Sequence, residues 1–280
     1  MDQTNRQKFL EKIDFNHPEV AEVYDELPLW SAPFGLLMLE RIPMQRGLTI
    51  VDVGAGTGFL SIELAQRCGD STVYAVDPWK GATDRLRRKV AILNLPHVQV
   101  IDRDAATIDL PTESVDLVVS NLGINNFENA DAVLQTCARI LKRGGKLFLT
   151  SNLVGHMREF YDAYRQTLTE LSLEEFLPKL ESHIHHRATV SSIRERLERA
   201  GLEIEDVTER SFEMRFADGS SMLRHYFIRL GFVDEWSKIV VPDKVEEVFA
   251  TLENNLNSFA RERGELSLTI PMACVQARKV

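Results

Sequence analysis

Short runs of β-branched and apolar residues alternate along this chain with longer stretches in which apolar positions return every three or four residues. The runs at 50–53, 72–76, 98–101, 115–120 and 147–150 have the length and composition of buried strands. Between them, Leu60, Leu64 and Cys68 mark one helical face, Ala82, Leu86, Val90 and Leu93 a second, and Ala130, Val133, Leu134, Cys137, Ala138 and Leu141 a third. This alternation from 47 to 152 predicts a parallel sheet with right-handed helical crossovers. Ligands of such sheets bind beyond the carboxyl ends of the strands, and Gly54, Asp77, Asp104 and Asn121 all fall there.

The flanking segments read differently. Residues 1–46 predict helical pieces: Val20, Val23, Tyr24 and Leu27 share a face, Pro28 and Pro33 break the chain, and an apolar pattern resumes over 34–42. After the fifth strand, Met157, Phe160, Tyr161, Tyr164, Leu168 and Leu171 form one side of a long helix. Val190, Ile193, Leu197 and Ala200 form another, which starts near Thr189 and is ended by Gly201. Alternation over 202–207 and 211–216 predicts a sixth strand with an irregular break, and 267–277 a last strand. The fifty residues between them carry helical stripes that include Met222, Phe227, Trp236, Phe249 and Leu256. Such stripes must be buried, and the nearby cleft or a second subunit, hence a homodimer, are the two economical places.

The stretch from Val51 to Leu60 carries the first chemistry. Gly54, Gly56 and Gly58 occupy alternate positions between a strand and a helix, where a side chain would block a sharp turn or the approach of a ligand to backbone N–H groups. The dinucleotide fingerprint G-x-G-x-x-G would place its third glycine at position 59, which is Phe59. With Asp52 two residues before the first glycine, the stretch resembles the first motif of the class I S-adenosylmethionine-dependent methyltransferases. The resemblance continues through Asp77-Pro78 after the second strand, Asp104-Ala105 after the third, Asn121-Leu122-Gly123 after the fourth, and Lys142-Arg143-Gly144-Gly145-Lys146, similar to a turn in which the family has proline at the Arg143 position. It covers 47–151.

The resemblance implies a doubly wound, mainly parallel seven-stranded α/β sheet, a Rossmann-like methyltransferase fold closed by a C-terminal antiparallel strand and carrying helical insertions. It implies S-adenosylmethionine as cofactor, held by Asp52, Gly54, Ala55, Gly56, Gly58, Asp77, Pro78, Asp104, Ala105, Asn121 and Leu122, with Asp77 on the ribose hydroxyls and Asp104-Ala105 beside the adenine amino group. The expected layout is an N-terminal helical cap (1–46), the cofactor-binding core (47–152), a helical insertion (153–186), a core helix with strand six (187–217), a helical lid insertion (218–264) and the last strand (265–280).

Composition narrows the partners. A formal net charge of −9 argues against a protein that holds nucleic acid by neutralising phosphates. Arg85, Arg87, Arg88 and Lys89 suit a solvated helix face. No apolar run approaches the ~20 residues of a membrane span, and Met1 to Ile13 lacks the apolar core of a secretion signal, so a cytoplasmic protein is expected. Cys68, Cys137 and Cys274 lie far apart, as inert core residues do. The spacing of His183, His185 and His186 does not place all three on one face, so no metal site is expected.

Methyl transfer is an in-line displacement, so holding the partners in line supplies most of the rate and a base is optional. Where the nucleophile must lose a proton, His156 and Tyr161 are the candidate bases, and Asn121 with Asn125 the groups that orient a small-molecule acceptor. His156 can equally serve to enter its helix. Arg224 and Arg229 are candidates for a substrate carboxylate. A regulatory protein that binds the cofactor without turnover stays open beside the enzyme, whereas a nicotinamide oxidoreductase is disfavoured by Phe59.

Overall fold

The computed structural model describes residues 14, 17–25 and 29–280 of the 280-residue chain. Leu27 and Pro28 lie outside the described residues. The elements in order are α1 (Pro18–Asp25), α2 (Ala32–Leu39), β1 (Thr49–Val53), α3 (Phe59–Arg67), β2 (Thr72–Val76), α4 (Lys80–Ile92), β3 (Val98–Ile101), β4 (Val115–Asn121), α5 (Ala130–Ile140) and β5 (Leu141–Asn152). There follow α6 (Arg158–Glu170), α7 (Leu177–His185), α8 (Val190–Arg199), β6 (Leu202–Phe216), α9 (Gly219–Arg224), α10 (Val245–Arg263) and β7 (Leu266–Lys279). Between α9 and α10 the chain is helical over Tyr226–Ile228, π-helical over Arg229–Val233 and helical again over Asp234–Ser237.

The seven strands form one sheet in the order β3-β2-β1-β4-β5-β7-β6. β1 pairs in parallel with β2 and β4, β2 with β3, and β4 with β5, while β7 runs antiparallel to β5 from Lys146↔Arg278 to Asn152↔Met272. The order reverses at β1, whose neighbours are β2 and β4, and this is where a doubly wound sheet opens a crevice. Ile50, Val51, Val73, Val118, Val119 and Phe148 are buried in the strands, and Leu60, Leu64 and Leu86 in the covering helices. That double-sided burial is why these strands read as continuous apolar runs rather than alternating ones.

The chain divides into two compact units. Of the described residues, the first, the sheet unit, takes those from 17 to 152 with Ala188–Arg210 and Met272–Val280, and the second, the helical unit, takes Leu153–Arg187 and Ser211–Pro271. The two helical insertions, separate in the sequence reading, therefore belong to one body with the adjoining portions of strands six and seven. Its core is aromatic. Phe160 stacks on Trp236 at 3.8 Å, Tyr164 donates its hydroxyl to the Trp236 carbonyl at 3.0 Å, and Phe249 meets Tyr164 edge-on. The apolar stripes of the two insertions bury one another, so they need neither the cleft nor a second subunit as cover. Among the described residues no helix is long and apolar enough to cross a membrane.

Two local readings change. α5 stops at Ile140, and Gly144 and Gly145, matched above to a turn ahead of the fifth strand, instead lie inside β5, where the β4–β5 register shifts. Gly144 has φ +74°, and a Cβ at Gly145 would come within 2.8 Å of the Lys142 carbonyl oxygen, so the pair serves an irregularity in the strand. β6 runs unbroken from Leu202 to Phe216, because an edge strand tolerates the polar run Thr208-Glu209-Arg210 that suggests a break. Pro33, expected to precede the apolar pattern of 34–42, sits at the start of α2, where its missing N–H costs nothing.

Candidate functional site

The carboxyl ends of β1, β2 and β4 assemble most of the expected cofactor residues in the sheet unit. Beyond β1 the chain turns through Gly54, Gly56 and Gly58, with φ of +78°, +55° and +88°, all left-handed values that favour glycine. The Gly54 and Ala55 N–H groups donate to the Val76 carbonyl at 2.9 and 3.1 Å, which ties the turn to the end of β2. Gly58 is the N-cap of α3, and a Cβ there would stand 2.0 Å from Leu86 Cδ1 on α4, so this glycine permits close packing of the two helices. Gly54 meets a different constraint: its Cβ would lie 3.0 Å from Gly123 Cα and 3.4 Å from the Phe127 ring.

Asp77 follows β2 and reaches back to the turn. One carboxylate oxygen accepts the Gly56 N–H at 2.8 Å and the other the Trp79 N–H at 2.8 Å. A carboxylate offers about four lone-pair sites, so two remain for a ligand diol. Burial pushes its pKa up, opposed by these two backbone bonds. Pro78 is exposed beside it. Asp104 caps the 3-10 turn Ala105–Thr107 by accepting the Ala106 N–H at 2.9 Å, with its side chain exposed and Ala105 buried behind it.

Asp52 takes a different place. It is 1% exposed and accepts the Ser61 hydroxyl at 2.5 Å, so it holds β1 to the first turn of α3 beneath the glycine turn. Burial, with a smaller contribution from the charge of Asp77, pushes its pKa up to about 7.

The end of β4 is fixed by side chains from β5. Thr150 donates its hydroxyl to Asn121 Oδ1 at 2.8 Å and accepts the Leu122 N–H at 3.1 Å, and Asn121 Nδ2 donates to the Ser31 carbonyl at 3.1 Å. Leu122 has φ +64°, an uncommon value for leucine that these bonds hold in place. Asn125 accepts the Ser151 hydroxyl at 2.6 Å and donates to Asn152 at 2.8 Å. Phe127 was missed by sequence reasoning, and Gly123 was read only as part of the Asn121-Leu122-Gly123 motif. The glycine stands two residues past the end of β4, where a Cβ would come 2.7 Å from the Val53 carbonyl oxygen.

The N-terminal helices border this crevice. Gly35 of α2 packs so tightly that a Cβ would stand 2.3 Å from the Phe59 ring and 3.3 Å from Asn121 Nδ2. Trp30 packs on Phe34 at 5.6 Å, and Tyr24 meets Trp79 edge-on at 5.5 Å. The basic face of α4 is engaged in ion pairs: Arg85 and Arg88 with Glu22, and Arg87 with Asp84 and Asp102.

His156 and Tyr161 belong to the helical unit. His156 is 2% exposed, stacks on Phe232 at 5.6 Å, and burial holds its pKa well below the usual histidine value. The Tyr161 oxygen accepts the Trp236 Nε1–H at 3.2 Å and lies 3.2 Å from His183 Nε2, while burial pushes its pKa up. Arg224 pairs with the buried Glu253 at 3.8 Å. Cys68, Cys137 and Cys274 are buried and unbridged, and among the described residues no three metal-ligating side chains converge.

Residues 51–149 match a family model described as a methyltransferase domain. A malonyl-(acyl-carrier protein) O-methyltransferase 1 of Coxiella burnetii is 27% identical over 201 residues, covering 65% of this chain and 67% of that protein. A demethylmenaquinone methyltransferase of a Geobacillus species is 30% identical over 132 residues, covering 45% of this chain and 56% of that protein. The first curated relatives are matched over 29% to 67% of their own length. Among solved structures, a putative methyltransferase of Bacillus halodurans aligns with a TM-score of 0.57 at 19% identity, covering 89% of this chain and 98% of that one. This is a likeness of fold.

Proposed function

We propose that this chain, whose residues 51–149 form a methyltransferase domain of the class I S-adenosylmethionine-dependent family, transfers a methyl group from that donor to a small-molecule acceptor in the cytoplasm. The observation that carries the reading is the Asp77 carboxylate, tied by its two backbone bonds to the glycine turn and retaining acceptor capacity for a ribose diol. The first turn of α3, whose N-cap Gly58 supplies no capping side chain, presents its backbone N–H groups to the other end of the donor, and Asp104-Ala105 borders the expected adenine position. Bound donor supplies a sulfonium-activated methyl carbon, open to in-line displacement by the acceptor. The sheet unit contributes position: Thr150 locks Asn121 and Leu122 at the end of β4, and Ser151 locks Asn125.

Titration calorimetry with S-adenosylhomocysteine, run beside NAD, tests the donor assignment. Micromolar binding of the former alone supports it, and binding of NAD alone refutes it. Transfer of a labelled methyl group to members of an acceptor panel that includes quinols and malonyl thioesters then separates an enzyme from a cofactor-binding regulator. Donor binding without turnover across the panel favours the regulator, because a fold of this kind does not by itself fix the chemistry.

A further inference from the structure

Helix α1 is eight residues long, too short to hold its shape without docking. Its buried face, Val20 and Ala21, packs against the first turn of α4, where a Cβ at Gly81 would stand 3.5 Å from that of Ala21. Its other fastening is ionic. Glu22 bridges two arginines of α4, one oxygen 2.7 Å from Arg85 and the other on Arg88. Arg85 and Arg88 are one turn apart on the same helix and repel each other unless an anion stands between them. The docked helix sets Tyr24 edge-on against Trp79, the residue whose N–H is bound by Asp77. Trp79 thus links the Tyr24 ring to the Asp77 carboxylate, and burial, with a smaller effect of the Asp77 charge, pushes the pKa of Tyr24 up.

We infer that Glu22 is a positioning residue of the donor site: its bridge to Arg85 and Arg88 holds α1 in place, so that Tyr24 covers Asp77 and keeps water from the carboxylate that takes the ribose hydroxyls. The inference rests on the donor assignment proposed above. Hydrogen bonds to a carboxylate strengthen when water is kept away, so a loosened α1 weakens donor binding without removing any group that touches the donor. The three side chains are between 29% and 57% exposed, so the effect is modest and sensitive to salt.

The test is calorimetry with S-adenosylhomocysteine on the full chain. Glu22→Gln is expected to weaken binding roughly threefold to tenfold at low salt, with the loss shrinking at high salt as screening weakens the bridge in the unaltered protein. The charge-swapped pair Glu22→Arg with Arg88→Glu is expected to regain most of the affinity that Glu22→Arg loses. In an Asp77→Asn background, Glu22→Gln is expected to cost less than a further factor of about two, because Glu22 acts through Asp77. Wild-type affinity in Glu22→Gln, or the same loss in both backgrounds, overturns the inference. Amide hydrogen exchange across 18–25 keeps its failure distinct from failure of the donor reading. If the unaltered chain binds no S-adenosylhomocysteine but Glu22→Gln still loses protection there, the bridge exists and the donor assignment is what falls.

Discussion

Replacing Gly58 by alanine tests the packing that shapes the glycine turn. At φ +88° and ψ 22° an alanine pays the left-handed penalty of about 1–2 kcal/mol. Its Cβ would also arrive 2.0 Å from Leu86 Cδ1 and 2.9 Å from Leu86 Cγ. Leu86 is fully buried, so it cannot swing into solvent, and the overpacking adds about 1–3 kcal/mol. The sum, about 2–5 kcal/mol, is a large part of the stability of an ordinary domain, about 5–15 kcal/mol. Urea unfolding followed by circular dichroism reads it as a lower midpoint. Leu86→Ala alone opens a cavity costing about 2–5 kcal/mol. Combined, the two changes relieve each other's steric fault, so the double variant is expected to be more stable than the sum of the single losses by about 1–3 kcal/mol. A Gly58→Ala protein within about 0.5 kcal/mol of the unaltered one, or strictly additive losses, would refute the reasoning.

Asp77→Asn leaves one oxygen where two backbone N–H groups now find acceptors, and it removes the charge proposed to meet the ribose diol. We expect S-adenosylhomocysteine to bind about 10- to 100-fold more weakly by calorimetry, and unchanged affinity would remove Asp77 from the site. For Asp52, a folded pKa of about 7 lies above the unfolded value, so its protonated form contributes stability that is full in acid and lost as pH rises toward 7. Asp52→Asn lacks that titration. Thermal melts from pH 5 to 8 are expected to move in favour of the variant, by up to about 3 kcal/mol over the roughly two pH units between pH 5 and the folded pKa, and the opposite trend would contradict the burial argument. In the helical unit the Tyr161 oxygen accepts the Trp236 Nε1–H, and with its own proton retained the hydroxyl is expected to donate to His183 Nε2, 3.2 Å away. His183 is therefore expected as the Nδ1–H tautomer, which nitrogen-15 NMR of the ring reads directly. Tyr161→Phe should release that preference, and an Nε2–H ring in the unaltered protein would reverse the assigned donor direction.

The sheet was legible because its central strands, β1 and β4 above all, are buried on both faces and the covering helices on one. The boundaries of β2 and β3 match their apolar runs, and α8 begins where Thr189 and Ser192 form a capping box. Where the reading slipped, a local signal had more than one meaning. Two adjacent glycines suit a helix stop as well as a strand irregularity, and Gly144-Gly145 turned out to be the latter. In the helical unit, periodicity identified which residues are buried but not against what, since a stripe names its own face and leaves its partner open. The pairing of α6 with the helices after β6 joins Phe160 to Trp236 across seventy-six positions, a contact no periodic pattern reports.

The same limit separates the two halves of the site reading. Gly54, Asp77, Asp104 and Asn121 were placed by a rule of topology, that strand ends gather at the switch point: Gly54 and Asp77 directly follow β1 and β2, Asp104 stands three residues past β3, and Asn121 is the last residue of β4. Asp52 is an instructive variation: it sits inside β1, so the alternation of the strand turns its carboxyl under the turn to Ser61. His156 and Tyr161 were singled out by residue type and by leaving a strand end, and burial has moved both away from proton transfer near neutral pH. A ring whose pKa is held well below the ordinary value is a weak base, and a phenol whose pKa is pushed up gives its proton reluctantly. Where the acceptor of the proposed transfer brings its nucleophile ready, as a thiolate or an activated carbon does, alignment supplies the acceleration and no protein base is required.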